Sequence, residues 1–479
     1  MGDAAPKYRA LADEVASHVA SGRLRPGQRL PSVRTLCRER GLGNATVRGA
    51  FRLLVERGVV EPRPRAGYFV RRPGGALPRA SRSALAPARV AIGGALGALA
   101  AAAGDRGALP LGFALLSPEL LPLDALDRTL AAIARSGGGA GGEYAPARGA
   151  AALRRAIAAR LVRQGASVHE DEIVVTSGAT EALHLALRVT CAPGDAVAVA
   201  SPSYFGILKA LELLGLRAVE IASDPERGLD LDQLEIALDR ARPSACIAVP
   251  AFDNPLGARM GEASKERLVS LLARRGVPLI EDDVYGDLGF EGPRPAPAAR
   301  HDRGGDVLLA GSFSKTLAPG YRVGWLAPGR RLAAVERLKY LLSLANPTLP
   351  QLAVAEFLRR GHYDRHLRGL RPVLTETLAR ARPCLLDAFP EGTRVSSPAG
   401  GFVLWVEMPP AFDALALQDE ARRRGITLAP GPLFSARGRF RNCLRVACGM
   451  RWTPALEAAL RTLGALARAQ RAGPRAAAR

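Results

Sequence analysis

The sequence predicts two unlike folds in one chain: a small helical module closed by a β-hairpin, and a much larger α/β domain with a mostly parallel sheet. Three observations carry this. Residues 8–70 read in turn as helix, helix, helix and hairpin. From about Leu109 onward, short apolar runs alternate with helix-period segments. Between them, residues 73–108 are rich in Pro, Gly, Ala and Arg, the composition of a flexible linker. At 479 residues the chain is too long for one core, and its 48% apolar content excludes global disorder.

Charge separates the two parts. The net charge is +22, and residues 1–82 hold 17 Lys and Arg against 6 Asp and Glu. That surplus of 11 is half the total, in about a sixth of the chain. A polyanionic partner is expected there, most simply double-stranded DNA. The six Cys are scattered, with no CxxC and no pairing with His. They read as reduced thiols of a cytoplasmic protein, with no metal site. Asp3, Asp13 and Glu14 interrupt any secretory signal. The longest apolar tract, Val90 to Ala103, is 14 residues, short of the roughly 20 that a spanning helix needs. No membrane association is expected.

In chain order, Leu11, Val15 and Val19 make one stripe of a first helix, 8–20. Ser32 is placed to cap a second helix that ends at Gly41. Gly43 leads into a third helix from Asn44 to about Arg57, with Val47, Phe51 and Leu54 on its apolar side and Arg48 and Arg52 off it. Val59 to Glu61, a Pro62 to Gly67 turn, and Tyr68 to Val70 complete a hairpin. This order is that of a winged helix-turn-helix, in which the third helix enters the major groove. Pro26-Gly27-x-x-Leu30-Pro31-Ser32-x-Arg34, Ala45-Thr46-Val47 and Gly58-x-Val60-x-x-Arg63-Pro64-Arg65-x-Gly67-x-Phe69-Val70 resemble the DNA-binding domain of the GntR family. The resemblance implies DNA contacts from Arg34, Asn44, Thr46, Arg48, Arg65 and Gly67. The turn before the third helix commonly reads Ser-Arg in that family. Here it is Gly43-Asn44, so an operator sequence does not carry over.

The larger domain is defined by Ile173–Thr176, Ala196–Val199, Ala218–Ile221, Cys246–Val249, Pro278–Glu281 and Val307–Ala310. Short, mostly apolar runs of this kind suit a sheet covered on both faces. Ligands of such sheets bind beyond the carboxyl ends of the strands. Those ends supply Ser177-Gly178-Ala179-Thr180 at a helix start, a phosphate seat. They also supply Tyr204, an aromatic able to stack; Asn254, an amide; Asp282 with Tyr285, an acid and a phenol; and Ser312, Ser314 and Lys315. An uncharged lysine amine condenses with an aldehyde to an imine. Ser312, Ser314 and Arg322 can hold a phosphate, and a nearby cation would lower the pKa of Lys315. Only five of the 67 basic residues are Lys, so a Lys at this point stands out. The set is the inventory that pyridoxal 5′-phosphate requires: its pyridine nitrogen needs an acid partner to draw electrons from the imine carbon.

Residues 109–468 resemble the fold-type-I aminotransferases of the aspartate aminotransferase superfamily. The matching pieces are Tyr144-x-x-x-x-Gly149-x-x-x-Leu153-Arg154, Thr176 to Leu183, Asn254-Pro255-Leu256-Gly257, Asp282-x-x-Tyr285 and the Lys315 stretch. The resemblance implies a large α/β part, about 109–345, and a smaller α+β part, about 346–468. It makes Lys315 the aldimine-forming residue and Asp282 the partner of the pyridine nitrogen. Tyr285 and Asn254 would contact the ring oxygen, and Tyr204 would stack. Ser177, Gly178, Ala179, Thr180, Ser312, Ser314 and Arg322 would surround the phosphate. Tyr144 would reach in from a second subunit, and Arg445, in Asn442-Cys443-Leu444-Arg445, would clamp an α-carboxylate. Leu256 departs from the usual Thr. The residues after Ala469 read as a frayed tail.

A GntR-type reader joined to such a domain resembles the MocR subfamily of bacterial transcription regulators. The implied protein is a homodimer that binds DNA, at the nucleoid when bound, and senses pyridoxal phosphate or an amino compound at Lys315. Two other readings stay open: a working aminotransferase that carries a DNA-binding domain, and a large domain that is only a dimerisation scaffold. The effector, the operator, the regulated genes and the sign of regulation are not written in the sequence.

Overall fold

The computed structural model describes residues 7–20, 24, 29–56, 59–63, 67–70, 76–93, 97, 107–136 and 141–470. The chain divides into two units, Met1–Ala76 and Leu77–Arg479.

The first unit holds α1 (Lys7–Ala20), α2 (Val33–Arg40), α3 (Asn44–Glu56), β1 (Val60–Arg63) and β2 (Gly67–Val70). Local chemistry sets its boundaries. Ser32 caps α2 by accepting from the Thr35 amide at 3.1 Å. Gly41, at φ 61°, ends it in the left-handed region. Val47, Ala50, Phe51 and Leu54 of α3 are fully buried against Leu11, Ala12, Val15, Leu36 and Val70. β1 and β2 pair antiparallel, and the Tyr68 ring lies 4.4 Å from that of Phe51. The hairpin is therefore fastened to the core of the helices.

The second unit begins with β3 (Ala84–Arg89), α4 (Leu123–Ser136), α5 (Ala151–Arg163), β4 (Val174–Thr176) and α6 (Gly178–Thr190). Next come β5 (Ala196–Ser201), α7 (Phe205–Leu213), β6 (Arg217–Asp224), β7 (Gly228–Leu229), α8 (Leu231–Arg240) and β8 (Ala245–Ala248). Then follow α9 (Glu262–Arg274), β9 (Leu279–Asp282), β10 (Val307–Ser312) and β11 (Gly324–Ala327). The strands form one sheet in the order β3-β6-β5-β8-β9-β10-β11-β4, with β7 beside β6. Neighbours from β6 to β10 are parallel. β11 runs antiparallel to both β10 and β4, so β4 points the same way as β10. All six runs expected as strands are strands, and their carboxyl ends share one edge. One face is covered through Val199, Ile247, Ile280 and Leu308, the other through Ala198, Cys246, Leu279 and Val307.

The chain continues through α10 (Leu332–Ser343), α11 (Thr348–Arg359), α12 (His362–Ala388), β12 (Arg394–Val395) and β13 (Val403–Glu407). It ends with α13 (Ala414–Arg423), β14 (Ala429–Pro430), β15 (Cys443–Ala447) and α14 (Pro454–Ala469). β12-β13-β15-β14 is a second, antiparallel sheet. α12 joins the two parts. Leu367, Leu370 and Leu374 enter the core beneath the large sheet, and Ala381, Leu385 and Ala388 enter that of the small one.

One expectation needs correction. Residues 84–89, read as flexible linker, form the edge strand β3, and Val90 and Ile92 beyond it are buried. β3 pairs with β6 across a bulge. An edge strand tolerates the missing N–H of Pro87, and small residues that pair by backbone leave no apolar pattern to read. Residues 73–75, 94–96 and 98–106 of the supposed linker, and the tail from 471, lie outside the described residues. Among the described residues no helix is long and apolar enough to cross a membrane.

Candidate functional site

Lys315 follows β10, and the ends of the neighbouring parallel strands surround it. A cavity of about 90 Å³ is lined by Lys315, Asp282, Tyr285, Asn254, Tyr204, Ala179, Thr180, Ser312, Ser314 and Arg322, with Leu183, Val249 and Val284 as its apolar wall. Ten of the expected pocket residues thus meet in one place. Ser177 and Gly178 lie just behind it. The Arg322 guanidinium donates to the Ser177 carbonyl at 2.8 Å and to Ser314 Oγ at 3.3 Å. Ser312 Oγ donates to Ser314 Oγ at 3.0 Å. Gly178 has φ 76°, and a Cβ there would lie 2.5 Å from Arg322 Nη2, so only glycine lets the guanidinium close over the start of α6. Hydroxyls, a guanidinium and a helix N-terminus therefore converge as a phosphate seat would.

The electrostatics suit amine chemistry. Burial pulls the Lys315 pKa down to about 8, helped by Arg445 and Arg322 and opposed by Asp282. Burial pushes Asp282 up to about 7, and Asp283 pushes it the same way. Burial also raises the phenol of Tyr285. Asn254 Nδ2 donates to Tyr285 Oη at 3.4 Å, so an amide and a phenol stand together on one wall. A pyridine ring with an aldehyde, a phenolic oxygen and a phosphate finds here an amine, an acid, a polar pair and an anion seat. The residues present fit pyridoxal phosphate.

Arg445 projects from β15 and is fully buried. Its guanidinium donates to Asn254 Oδ1 at 3.5 Å and to the Gly112 carbonyl, and Nε has no partner. The rings of Phe205 and Phe434 lie 5.9 and 5.6 Å from its carbon. Burial lowers its pKa to about 10. Tyr144 does not line the cavity of its own chain; it is 86% exposed. In the first unit, Arg34, Asn44 and Arg48 are exposed, Thr46 is half-buried and Gly67 opens β2. Arg65 lies outside the described residues.

Three features were not legible. Lys315 Nζ donates to the Ala114 carbonyl at 2.7 Å. With Gly112 on Arg445, one backbone segment therefore holds both cations, and carbonyls carry no residue-type signal. Arg29 bridges to Phe69 and lies beside Gly67, adding a basic side chain to the wing. Fully buried Lys339 binds Glu181 at 2.9 and 3.0 Å. Glu181 in turn accepts from the Ser177 amide at 2.6 Å, bracing the start of α6. Its place one turn into a helix that begins Ser-Gly was the available clue.

Comparison with known proteins agrees with both halves. Residues 118–459 match the family of class I and II aminotransferases, and residues 7–70 match the gntR family of bacterial regulatory proteins. The HTH-type transcriptional regulator YjiR of Escherichia coli is 36% identical over 460 residues, 96% of this chain and 98% of that protein. The 2-aminoadipate transaminase of Thermus thermophilus is 33% identical over 345 residues, 71% of this chain and 85% of that enzyme. The crystal structure of the α-aminoadipate aminotransferase LysN from the same organism, complexed with N-(5′-phosphopyridoxyl)-L-leucine, superposes with a TM-score of 0.72. It is 30% identical and covers 78% of this chain and 94% of that one.

Proposed function

The chain belongs to the class I and II aminotransferase family and carries a GntR-type DNA-binding domain, the combination of MocR-type regulators; from that premise we propose that it is a transcription regulator whose large domain senses an amino compound through pyridoxal phosphate held at Lys315. The observation that carries this reading is the shared cavity of Lys315, Asp282, Tyr285, Asn254 and Arg322 in a chain that also holds a winged helix-turn-helix. When bound, the cofactor supplies a reactive aldehyde and an electron-withdrawing ring.

The protein's own groups do the rest. Lys315, with its lowered pKa, provides a neutral amine. Asp282 would pair with the ring nitrogen and hold its proton. Tyr285 and Asn254 would orient the phenolic oxygen, and Tyr204 would pack on the ring. Ser177, Gly178, Ala179, Thr180, Ser312, Ser314 and Arg322 would fix the phosphate. Arg445 selects ligands with a carboxylate beside the amine. The exposed Tyr340, Leu341, Leu342 and Leu344, with exposed Tyr144, support a homodimer in which Tyr144 reaches the partner's pocket. Arg34, Asn44, Thr46, Arg48, Arg65 and Gly67 face DNA, and the protein works in the cytoplasm.

The test is DNA affinity of the full-length protein, titrated with pyridoxal phosphate and then with the twenty standard amino acids. A shift produced by one amino acid, absent in Lys315→Ala, is expected. No shift with any of them refutes the sensor. The complete set of amine, acid, phenol and carboxylate clamp, together with the likeness to a 2-aminoadipate transaminase, favours a second reading: a working aminotransferase. Multiple turnovers between an amino acid and a keto acid, without a change in DNA affinity, would select it.

A further inference from the structure

Residues 77–89 follow directly on the first unit, and they are stapled to both sheets of the second. On the large sheet, β3 pairs with β6. The Ser81 amide donates to the Ser223 carbonyl at 3.2 Å, and the amides of Ser223 and Ala222 donate to Ser81 Oγ and Ser83 Oγ at 3.0 and 2.8 Å. Ser81 Oγ also donates to the carbonyl of Ser201, three residues before Tyr204 of the pocket wall. On the small sheet's side, the Arg79 amide donates to Glu407 Oε2 at 2.8 Å. Arg394 donates to the Leu77 carbonyl at 3.2 Å, Arg439 to that of Arg82 at 2.7 Å and Arg437 to that of Ala86 at 2.6 Å. β12 and β13 supply Arg394 and Glu407, and the loop before β15 supplies Arg437 and Arg439.

Toward the large sheet the segment uses its backbone and the hydroxyls of Ser81 and Ser83; toward the small sheet's side its backbone meets the side chains of Glu407, Arg394, Arg437 and Arg439. The segment cannot keep all of these bonds if the two sheets move relative to each other. Arg445, the proposed clamp on the ligand carboxylate, sits on β15 of the small sheet, whereas Lys315 follows a strand of the large one. A ligand that bridges Arg445 and Lys315 pulls on the same two bodies that residues 77–89 tie together.

We propose that residues 77–89 are the transmission element of the protein, a collar that reads the position of the small sheet against the large one and passes it to the chain leading into the DNA-binding unit. The inference rests on the sensor reading and names the means by which that sensor is read.

The test uses cofactor-loaded, full-length protein with Glu407→Ala, and with the pair Arg437→Ala and Arg439→Ala. None of these residues touches the pocket. The probe is whichever standard amino acid shifts wild-type DNA affinity most, a shift expected to be at least about fivefold. In the released variants it should fall below about twofold, while the visible cofactor band and its titration by that amino acid stay as in wild type. That unchanged band is also the check that the variants fold. Glu407→Gln keeps an acceptor for the Arg79 amide and should retain the response. Amide exchange across 77–89 should change when the amino acid is added to wild type. A full response in both released variants overturns the collar and leaves the sensor standing, as does a DNA shift with unaltered exchange at 77–89. A wild type that answers no amino acid overturns the sensor, and the collar with it.

Discussion

Lys315 offers the most direct test of the pocket's electrostatics. An ordinary lysine has a pKa of 10.5, and burial with help from Arg445 and Arg322 brings this one to about 8. Only the neutral amine attacks an aldehyde. At pH 7 about one Lys315 in ten is then neutral, against roughly one in three thousand for an ordinary lysine. Loading of cofactor-free protein with pyridoxal phosphate should therefore quicken as pH rises and level off above a midpoint near 8. Two substitutions should move that midpoint in opposite directions. Arg445→Met removes a cation that disfavours the ammonium, so the midpoint rises, though burial keeps it below 10.5. Asp282→Asn removes the anion that favours the ammonium, so the midpoint falls below 8. Stopped-flow absorbance of the lysine-linked cofactor, across the neutral to alkaline range, gives all three profiles. A wild-type midpoint near 10.5, or two variants that shift the same way, would refute this arrangement of charges.

Other outcomes follow from the same packing. Gly178→Ala places a Cβ at φ 76° against Arg322; it should cost roughly 1–2 kcal/mol in thermal or urea unfolding and weaken pyridoxal phosphate binding in an equilibrium titration. Lys339→Met strands Glu181 without its buried cation and should cost about 3 kcal/mol, with Lys339→Met plus Glu181→Gln recovering much of the loss in the same melts. Arg34→Ala and Arg48→Ala should each weaken DNA binding across sequences and reduce the slope of log affinity against log salt by about 1 if each neutralises a phosphate, measured by fluorescence anisotropy.

The parts of the fold that announced themselves were those in which side-chain type carries the structure. β4, β5, β8, β9 and β10 are buried on both faces and read as apolar runs. α2 declared both its ends through Ser32 and Gly41. The pocket was legible because imine formation, ring protonation and phosphate binding each need a particular group at a strand end. What escaped was built from backbone. β3 is Ala84-Leu85-Ala86-Pro87-Ala88-Arg89, with no alternation to betray it, and it pairs with β6 through backbone amides and carbonyls. β11, Gly324-Trp325-Leu326-Ala327, is only four residues and starts at the end of the Lys315 motif, too short a run to stand apart from it. Gly112 and Ala114 hold Arg445 and Lys315 through carbonyls that any residue would supply.

The charge balance of the pocket explains why a sensor and an enzyme are hard to tell apart by shape. Asp282 is the one carboxylate among the cavity's lining residues, against Lys315 and Arg322, with Arg445 joined to the same wall through Asn254. Arg445 is wholly buried, yet the partners of its guanidinium are two neutral oxygens and its Nε has none. A buried charge without a counter-charge costs a protein about 3–5 kcal/mol. A ligand carboxylate offsets that cost whether or not chemistry follows. Selection for tight, carboxylate-dependent binding and selection for transamination thus favour the same arginine in the same place. The two differ in what the binding free energy moves. In an enzyme it must stay with the reacting atoms, and a chain that diverts it into rearranging residues 77–89 has less to give to catalysis. On the sensor reading, a protein whose large and small sheets are both bonded to the segment leading into its DNA-binding unit is arranged to spend ligand affinity on that segment.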